Sequence, residues 1–117
     1  MEGQIKMKTI LLCLDYGAYP IFINDEDGGT EDNYLPEDSE NDPVLLPLMK
    51  DITKKYEACF INNEREFDWK GFKTKEEAEA FIEELKEFSR LIKERYGKDY
   101  IIKDKFPEDF KYLRKIL

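Results

Sequence analysis

Nine carboxylate side chains lie within 19 consecutive residues of this 117-residue chain and are its most concentrated chemistry. They occupy the acidic segment, defined as residues 24–42, and are Asp25, Glu26, Asp27, Glu31, Asp32, Glu37, Asp38, Glu40 and Asp42. The segment has no Lys or Arg, so it contributes −9 to a net charge of −8, and the rest of the chain sums to +1. Charge localised in this way polarises a protein surface.

These carboxylates are poor candidates for catalysis. The chain contains no histidine, the commonest general base and a common metal ligand. Ser39 and Ser89 have no activating partner in the pattern, and Gly28–Gly29 lies among carboxylates that would repel phosphate. Acid–base catalysis needs carboxylates with separated pKa values, which a solvated loop does not provide. We therefore expect no catalytic residue, no cofactor and no enzymatic activity.

The spacing does not predict a metal site either. The calcium-loop pattern D-x-D-x-D-G-x5-E, started from Asp25, is matched at Asp27. Its fifth, sixth and twelfth positions are occupied instead by Gly29, Thr30 and Pro36. Hard cations need fixed oxygen ligands as well as nearby charge, so a metal-dependent hydrolase that uses the acidic cluster is kept only as an alternative.

The charge distribution argues for a protein partner and against a nucleic acid. Residues 98–115 carry six Lys or Arg and four Asp or Glu, an excess of +2 that is too small to follow a phosphate backbone. The acidic segment would itself repel a polyanion. A basic protein surface, such as a nuclease cleft, is the partner that carboxylates could occupy in place of phosphates.

Three tyrosines near or within the acidic segment are candidate anchors, because aromatic side chains are frequent hot spots of interfaces. The predicted partner-binding set is Asp25, Glu26, Asp27, Glu31, Asp32, Tyr34, Glu37, Asp38, Tyr16 and Tyr19. Two other interpretations stay open. Acidic loops also serve solubility alone, and Tyr16 and Tyr19 could be ordinary core residues.

Length and composition predict one domain over residues 1–117, because 41% apolar and 14% aromatic residues suffice for a core. Met7–Lys8 offers a second start, so we interpret residues 1–6 as an extension. The apolar run Ile10–Leu14 has only five residues, far fewer than the ~20 of a membrane-spanning helix. We therefore expect no membrane partner and a cytoplasmic protein. Cys13 and Cys59 lie in apolar runs typical of free, structural cysteines.

Short apolar runs predict several strands. The run Ile5–Leu14 is typical of a central strand covered on both faces, and Pro20–Ile23 returns beside it as a hairpin. Residues 24–42 are predicted as an acidic loop that Tyr34 and Leu35 fix to the body. Further strands are predicted at residues 58–61, 66–69 and 99–103, the last at a sheet edge.

Helical spacing predicts two main helices, at about 47–57 and 74–96, and a short C-terminal helix at about 107–116. The first is placed at Pro47 because an earlier start would put this proline inside the helix. The second begins with a capping box, Thr74 to Glu77, and ends at Gly97, where a left-handed residue is expected. The predicted fold is α+β, with a small mixed or antiparallel sheet.

Three stretches resemble small bacterial immunity proteins of polymorphic and contact-dependent growth-inhibition toxin systems. They are LDYGAYPIF at Leu14–Phe22, FDWKGF at Phe67–Phe72 and RYGKDYIIKD at Arg95–Asp104. Members of the class often have Trp where this chain has Ile21–Phe22. The resemblance implies a non-enzymatic inhibitor that covers the active site of a toxin. A phage- or plasmid-type nucleic-acid mimic that inhibits a host nuclease or DNA-binding protein is the second alternative.

Overall fold

The computed structural model describes residues 7–115. The predicted extension over residues 1–6 and the last predicted helical residue, 116, lie outside this range. In chain order the elements are β1 (Thr9–Leu12), β2 (Ile21–Asn24), β3 (Thr30–Asp32), a 3-10 turn (Glu37–Ser39), α1 (Leu45–Glu57), β4 (Phe60–Asn62), β5 (Phe67–Trp69), α2 (Lys75–Tyr96), β6 (Ile101–Asp104) and α3 (Phe106–Leu113). The fold is a single α+β domain, which confirms the predicted class.

Four strands form a mixed sheet in the order β3-β2-β1-β6. Strands β1 and β2 are antiparallel, with Thr9 opposite Asn24 and Leu12 opposite Ile21, which confirms the predicted hairpin. Strand β6 runs parallel to β1 at one edge of the sheet, and β3 runs antiparallel to β2 at the other. The acidic segment therefore supplies an edge strand of the sheet.

Strands β1 and β2 bury one face of the sheet. Ile10, Leu12, Ile21 and Ile23 are buried and belong to the same core as the helices. Strand β1 is central, between β2 and β6, as predicted, but Thr9 and Leu11 are only partly buried, so the predicted cover on the second face is incomplete. The continuous apolar run was misleading because Leu11 is apolar without being part of the core face.

The long helix α2 forms the centre of the core. The Oγ1 of Thr74 accepts a hydrogen bond from the Glu77 backbone N–H at 3.1 Å, as the capping box predicts. Its buried stripe is Ala78, Phe81, Ile82, Leu85, Phe88, Ile92 and Tyr96. Gly97 has a φ of −62° and its N–H donates to the Lys93 carbonyl, so the expected left-handed conformation is wrong.

Helix α1 begins at Leu45, two residues before the predicted start. Pro47 falls in the first turn, where a backbone N–H has no intrahelical acceptor to lose. The helix ends at Glu57 and leads into β4, which pairs with β5 in a separate two-stranded sheet. Phe60 lies opposite Trp69 and Asn62 opposite Phe67 in this hairpin, which is called the β4–β5 hairpin below.

Candidate functional site

The acidic segment begins with a tight turn between β2 and β3. The backbone N–H of Asp25 donates to the Gly29 carbonyl at 2.8 Å. The Asp25 Oδ1 accepts hydrogen bonds from the N–H groups of Asp27 and Gly29, both at 2.9 Å. Gly28 has a φ of +94°, which L side chains rarely adopt. The Asp25 carboxylate therefore shapes the turn, whereas Glu26 and Asp27 are exposed at its tip.

Strand β3 exposes every one of its residues, including Glu31 and Asp32. Lys8, one residue before β1, forms a salt bridge of 2.7 Å with the Glu31 carboxylate. The Asp32 Oδ1 accepts a hydrogen bond from the Asn33 N–H at 2.9 Å. The predicted loop is thus replaced here by a charged strand at the edge of the sheet.

Asn33 fastens the segment to the β1–β2 connection. Its Nδ2 donates to the carbonyls of Tyr19 and Ile21, both at 2.8 Å, and its Oδ1 accepts from the Tyr19 N–H at 3.1 Å. Beside these bonds the rings of Tyr19 and Tyr34 meet edge to face, with centroids 5.6 Å apart. Leu35 is buried, as expected of a residue that fixes the segment to the body.

The 3-10 turn Glu37–Ser39 is held by the C-terminal end of α2. Ser39 is buried, and its hydroxyl is hydrogen-bonded to the Tyr96 hydroxyl, which also donates to Asp38 Oδ1 at 2.6 Å. Burial, and then the hydrogen bond to Asp38, raises the pKa of Tyr96 to about 12. The neutral phenol is therefore the form that holds the turn.

Asp42 closes the segment by capping α1. Its Oδ1 accepts hydrogen bonds from the N–H groups of Leu45 and Val44, both at 2.8 Å, and its Oδ2 is paired with the Arg95 guanidinium. The bond from Leu45, the pairing with Arg95 and the bond from Val44 lower the pKa of Asp42 to about 2. This carboxylate stabilises the fold and is partly buried.

Three of the remaining carboxylates differ from those that shape the segment. Glu26, Glu37 and Glu40 are exposed and form no salt bridge with any residue in the range 7–115. They extend from a backbone held by Asp25, Asn33, Tyr96 and Asp42. The arrangement is a fixed, negatively charged surface beside two partly buried tyrosines, Tyr19 and Tyr34.

Tyr16 lies in a different group of side chains from the other predicted anchors. Its ring meets those of Phe60 and Phe67, with centroids 4.9 Å and 4.8 Å apart. The Asn62 Nδ2 donates to its hydroxyl at 3.0 Å. The structure therefore brings Tyr19 and Tyr34 together with the acidic segment and places Tyr16 against the β4–β5 hairpin.

Besides Asp42, four residues that position the segment were absent from the predicted set: Lys8, Asn33, Arg95 and Tyr96. Three of them act across long distances in the chain, and no local spacing announces such contacts. Tyr96 was predicted only as part of the apolar face of α2. Asn33 lies within the acidic segment, but its side chain bonds to the backbone of Tyr19 and Ile21, and the residues next to Asn33 give no sign of these partners.

Neither a group of metal-binding side chains nor a membrane-spanning helix is found in the part of the chain that the structure describes. Between residues 7 and 115, no three Cys, Asp or Glu side chains are placed to hold a metal ion together. No helix in the same range is both long and apolar enough to cross a membrane. Cys13 and Cys59 are both free thiols.

No protein-family model matches the chain, and no curated protein is significantly similar to it.

Proposed function

We propose that this protein is a non-enzymatic inhibitor, an immunity protein that acts in the cytoplasm by binding and neutralising a basic toxin domain. A nuclease is the preferred kind of toxin, because its nucleic-acid cleft is positively charged and accepts polyanions. The acidic segment supplies the carboxylates of the contact, and Tyr19 and Tyr34 lie beside them. The absence of histidine from the chain supports a binding function over catalysis.

One observation carries this proposal: the acidic segment is fixed to the domain at several points while it keeps carboxylates in water. Asn33 holds its middle, Tyr96 holds its 3-10 turn and Asp42 ties its end to α1. A segment that is already ordered does not have to be immobilised when a partner binds, so less binding free energy is lost. Solubility alone would not require such fixation.

The charges of the segment have a second consequence for binding. Complementary charge accelerates diffusional encounter, by a factor that falls as ionic strength rises. Fast association suits an inhibitor that must capture a toxin before damage occurs. The exposed carboxylates Glu26, Glu37 and Glu40 are the residues that we assign to this role, because their removal leaves the bonds of the segment intact.

The experiment compares association rates with the toxin domain encoded beside the gene. A triple variant, Glu26→Gln, Glu37→Gln and Glu40→Gln, is expected to bind on the order of tenfold more slowly at low ionic strength and to lose much of the salt dependence. The control changes three exposed carboxylates elsewhere by the same total charge: Glu76→Gln, Asp99→Asn and Glu108→Gln. It should associate at nearly the wild-type rate.

Equal rates for the two triple variants would contradict the role of the acidic segment. Inhibition of the toxin is measured in parallel, together with competition by a short DNA duplex. Competition is expected if the segment occupies a nucleic-acid cleft, and a complex that DNA does not disturb would contradict that location. A protein that fails to bind the neighbouring toxin at all would contradict the immunity function.

A further inference from the structure

Six aromatic side chains form a continuous surface on the β4–β5 hairpin and the elements that pack against it. This aromatic surface consists of Tyr16, Tyr56, Phe60, Phe67, Trp69 and Tyr112. Phe60 is central to it, stacked on Phe67 with centroids 5.2 Å apart and in edge contact with Trp69 at the same distance. Trp69 in turn meets Tyr112 of α3 at 5.2 Å and Tyr56 of α1 at 5.8 Å.

Two rings of the aromatic surface are open to solvent, although the hairpin that carries three of its six rings is attached to the rest of the domain. Phe67 and Tyr112 are 55% and 47% exposed, and Trp69, which contacts Tyr112, is partly buried. The hairpin is tied to the domain by the hydrogen bond from Asn62 to Tyr16 and by the ring contacts of Phe60 with Tyr56 and of Trp69 with Tyr112. Exposed clusters that include Trp and Tyr are typical of binding hot spots, whereas the core does not need Phe67.

Three carboxylates lie beside the part of the aromatic surface formed by Tyr16 and Tyr56, and their charge indicates the chemistry of the occupant. Asp15 and Asp109 lie close enough to Tyr56 for their charges to raise its pKa, after the larger effect of burial. Glu57 lies next to Gly17, the residue after Tyr16, and its Oε2 accepts a hydrogen bond from the Gly17 N–H at 2.9 Å. None of these three carboxylates forms a salt bridge with a residue between 7 and 115.

Aromatic faces beside unpaired carboxylates attract organic cations. The ring supplies its electron-rich face, and the carboxylate supplies charge and hydrogen-bond acceptors. The chain itself provides an example at the border of the surface, where the Lys115 ammonium lies 5.7 Å from the centroid of Tyr112. A guanidinium is suited to such a site because it can stack on a ring and bond to a carboxylate in the same pose.

We propose that the aromatic surface binds an arginine-bearing segment of a protein partner, with the guanidinium between the exposed rings and the carboxylates Asp15, Glu57 and Asp109. This surface is separate from the acidic segment in its residues, and the inference stands whether or not the acidic segment binds a toxin. The charge around the rings disfavours an acidic occupant.

Tryptophan fluorescence provides a local test, because Trp69 is the only tryptophan of the chain and lies within the aromatic surface. The probe is an acetylated, amidated peptide, Gly-Arg-Gly-Arg-Gly, and its matched control replaces both arginines by citrulline, which keeps the shape and removes the charge. The arginine peptide is expected to change the emission of Trp69 saturably, and the citrulline peptide is expected to bind about two- to fivefold more weakly.

Two sets of variants assign the effect to the surface. The double variant Asp15→Asn, Asp109→Asn should lower the affinity for the arginine peptide to that for the citrulline peptide. Phe67→Ser should lower the affinity for both peptides. Val44→Ser, which changes a similarly exposed apolar residue outside the surface, should leave both affinities unchanged. Binding to Glu26→Gln, Glu37→Gln and Glu40→Gln should also be unchanged.

The proposal is overturned if the two peptides give equal titrations, or if neither changes the fluorescence of Trp69. It is also overturned if sedimentation shows a dimer that Phe67→Ser dissociates, because a second copy of the chain would then cover the surface.

Discussion

The hydroxyl of Tyr96 donates a hydrogen bond to Asp38 Oδ1 at 2.6 Å and joins residues 58 positions apart in the chain. The same hydroxyl is bonded to the buried Ser39. One phenol at the end of α2 thus holds the 3-10 turn of the acidic segment.

Replacing this phenol tests the attachment directly. Tyr96→Phe should lower the free energy of unfolding by about 1–2 kcal/mol, because it leaves the buried Ser39 hydroxyl with only a long contact to Arg95. Denaturant unfolding measures the change. Tyr100→Phe is the matched control, since Tyr100 packs edge to face on Tyr96 and its hydroxyl makes no hydrogen bond with residues 7–115. Similar losses in the two variants would contradict the role of the Tyr96 hydroxyl.

Alkaline pH should weaken the fold through Tyr56 and Tyr96. Burial, the largest effect on both, raises the pKa of each phenol from 10.0 to about 12. Because the folded state favours the neutral phenol, this contribution to stability is complete below pH 10 and is lost as the pH rises through about 12. In a titration followed by phenolate absorbance, each of the variants Tyr56→Phe and Tyr96→Phe should lack one of the tyrosines that ionise near pH 12 in the wild type. Two unchanged titration curves would contradict the prediction.

Asp42 should contribute stability in the opposite pH range. Its pKa is lowered from 3.8 to about 2, so its contribution is complete above pH 3.8 and is lost as the pH falls through about 2. Asp42→Ala should therefore unfold at lower denaturant concentration than the wild type near pH 7, and the difference should shrink toward pH 2. Asp99→Ala changes an exposed aspartate and serves as the control. A difference that is independent of pH would exclude the charged cap as its origin.

The side chain of Asn33 should control the order of the acidic segment. Asn33→Ala removes three hydrogen bonds to Tyr19 and Ile21, and we expect a loss of about 1–2 kcal/mol in unfolding free energy. Amide hydrogen exchange should accelerate over residues 30–34 more than over α2. Asn41→Ala, at an exposed asparagine of the same segment, should leave both measurements unchanged. Uniform acceleration across the domain would indicate global destabilisation instead.

The two cysteines should differ in reactivity. Burial raises the pKa of the Cys59 thiol to about 11, and this thiol also donates to the Lys55 carbonyl at 3.4 Å. Cys13 is only partly buried. A thiol reagent should therefore modify Cys13 before Cys59 in the folded protein, and both at similar rates in denaturant. Cys13→Ser and Cys59→Ser assign the two phases, and faster modification of Cys59 would contradict the prediction.

Local patterns predicted the elements whose stabilising contacts are also local. The cap of α2 joins the Thr74 hydroxyl to the Glu77 N–H only three residues away, and the apolar stripe of α2 repeats over its whole length. The β1–β2 hairpin is likewise predicted from adjacent runs. By contrast, Pro47 suggested a late start for α1 because a proline inside a helix removes a backbone donor, whereas Pro47 lies in the first turn of a helix that Asp42 caps through its bonds to Val44 and Leu45.

The sequence predicted the charge of the candidate site but not the residues that hold the acidic segment in place. The carboxylates of residues 24–42 are obvious in the sequence, but a charged stretch with Gly and Pro predicts a loop. The order of this segment depends on Asn33 and Tyr96, whose partners lie elsewhere in the chain. Tyr16 illustrates the same difficulty, because proximity in sequence to Tyr19 did not reveal that its ring packs on the β4–β5 hairpin.

Strand β3 also affects how copies of this protein meet one another. It forms an outer edge of the four-stranded sheet, and edge strands can pair with the edges of other molecules and lead to aggregation. Glu31 and Asp32 both lie exposed on this edge. Two copies that approached through β3 would bring like charges together, so the strand discourages intermolecular sheet growth while it holds the carboxylates in place.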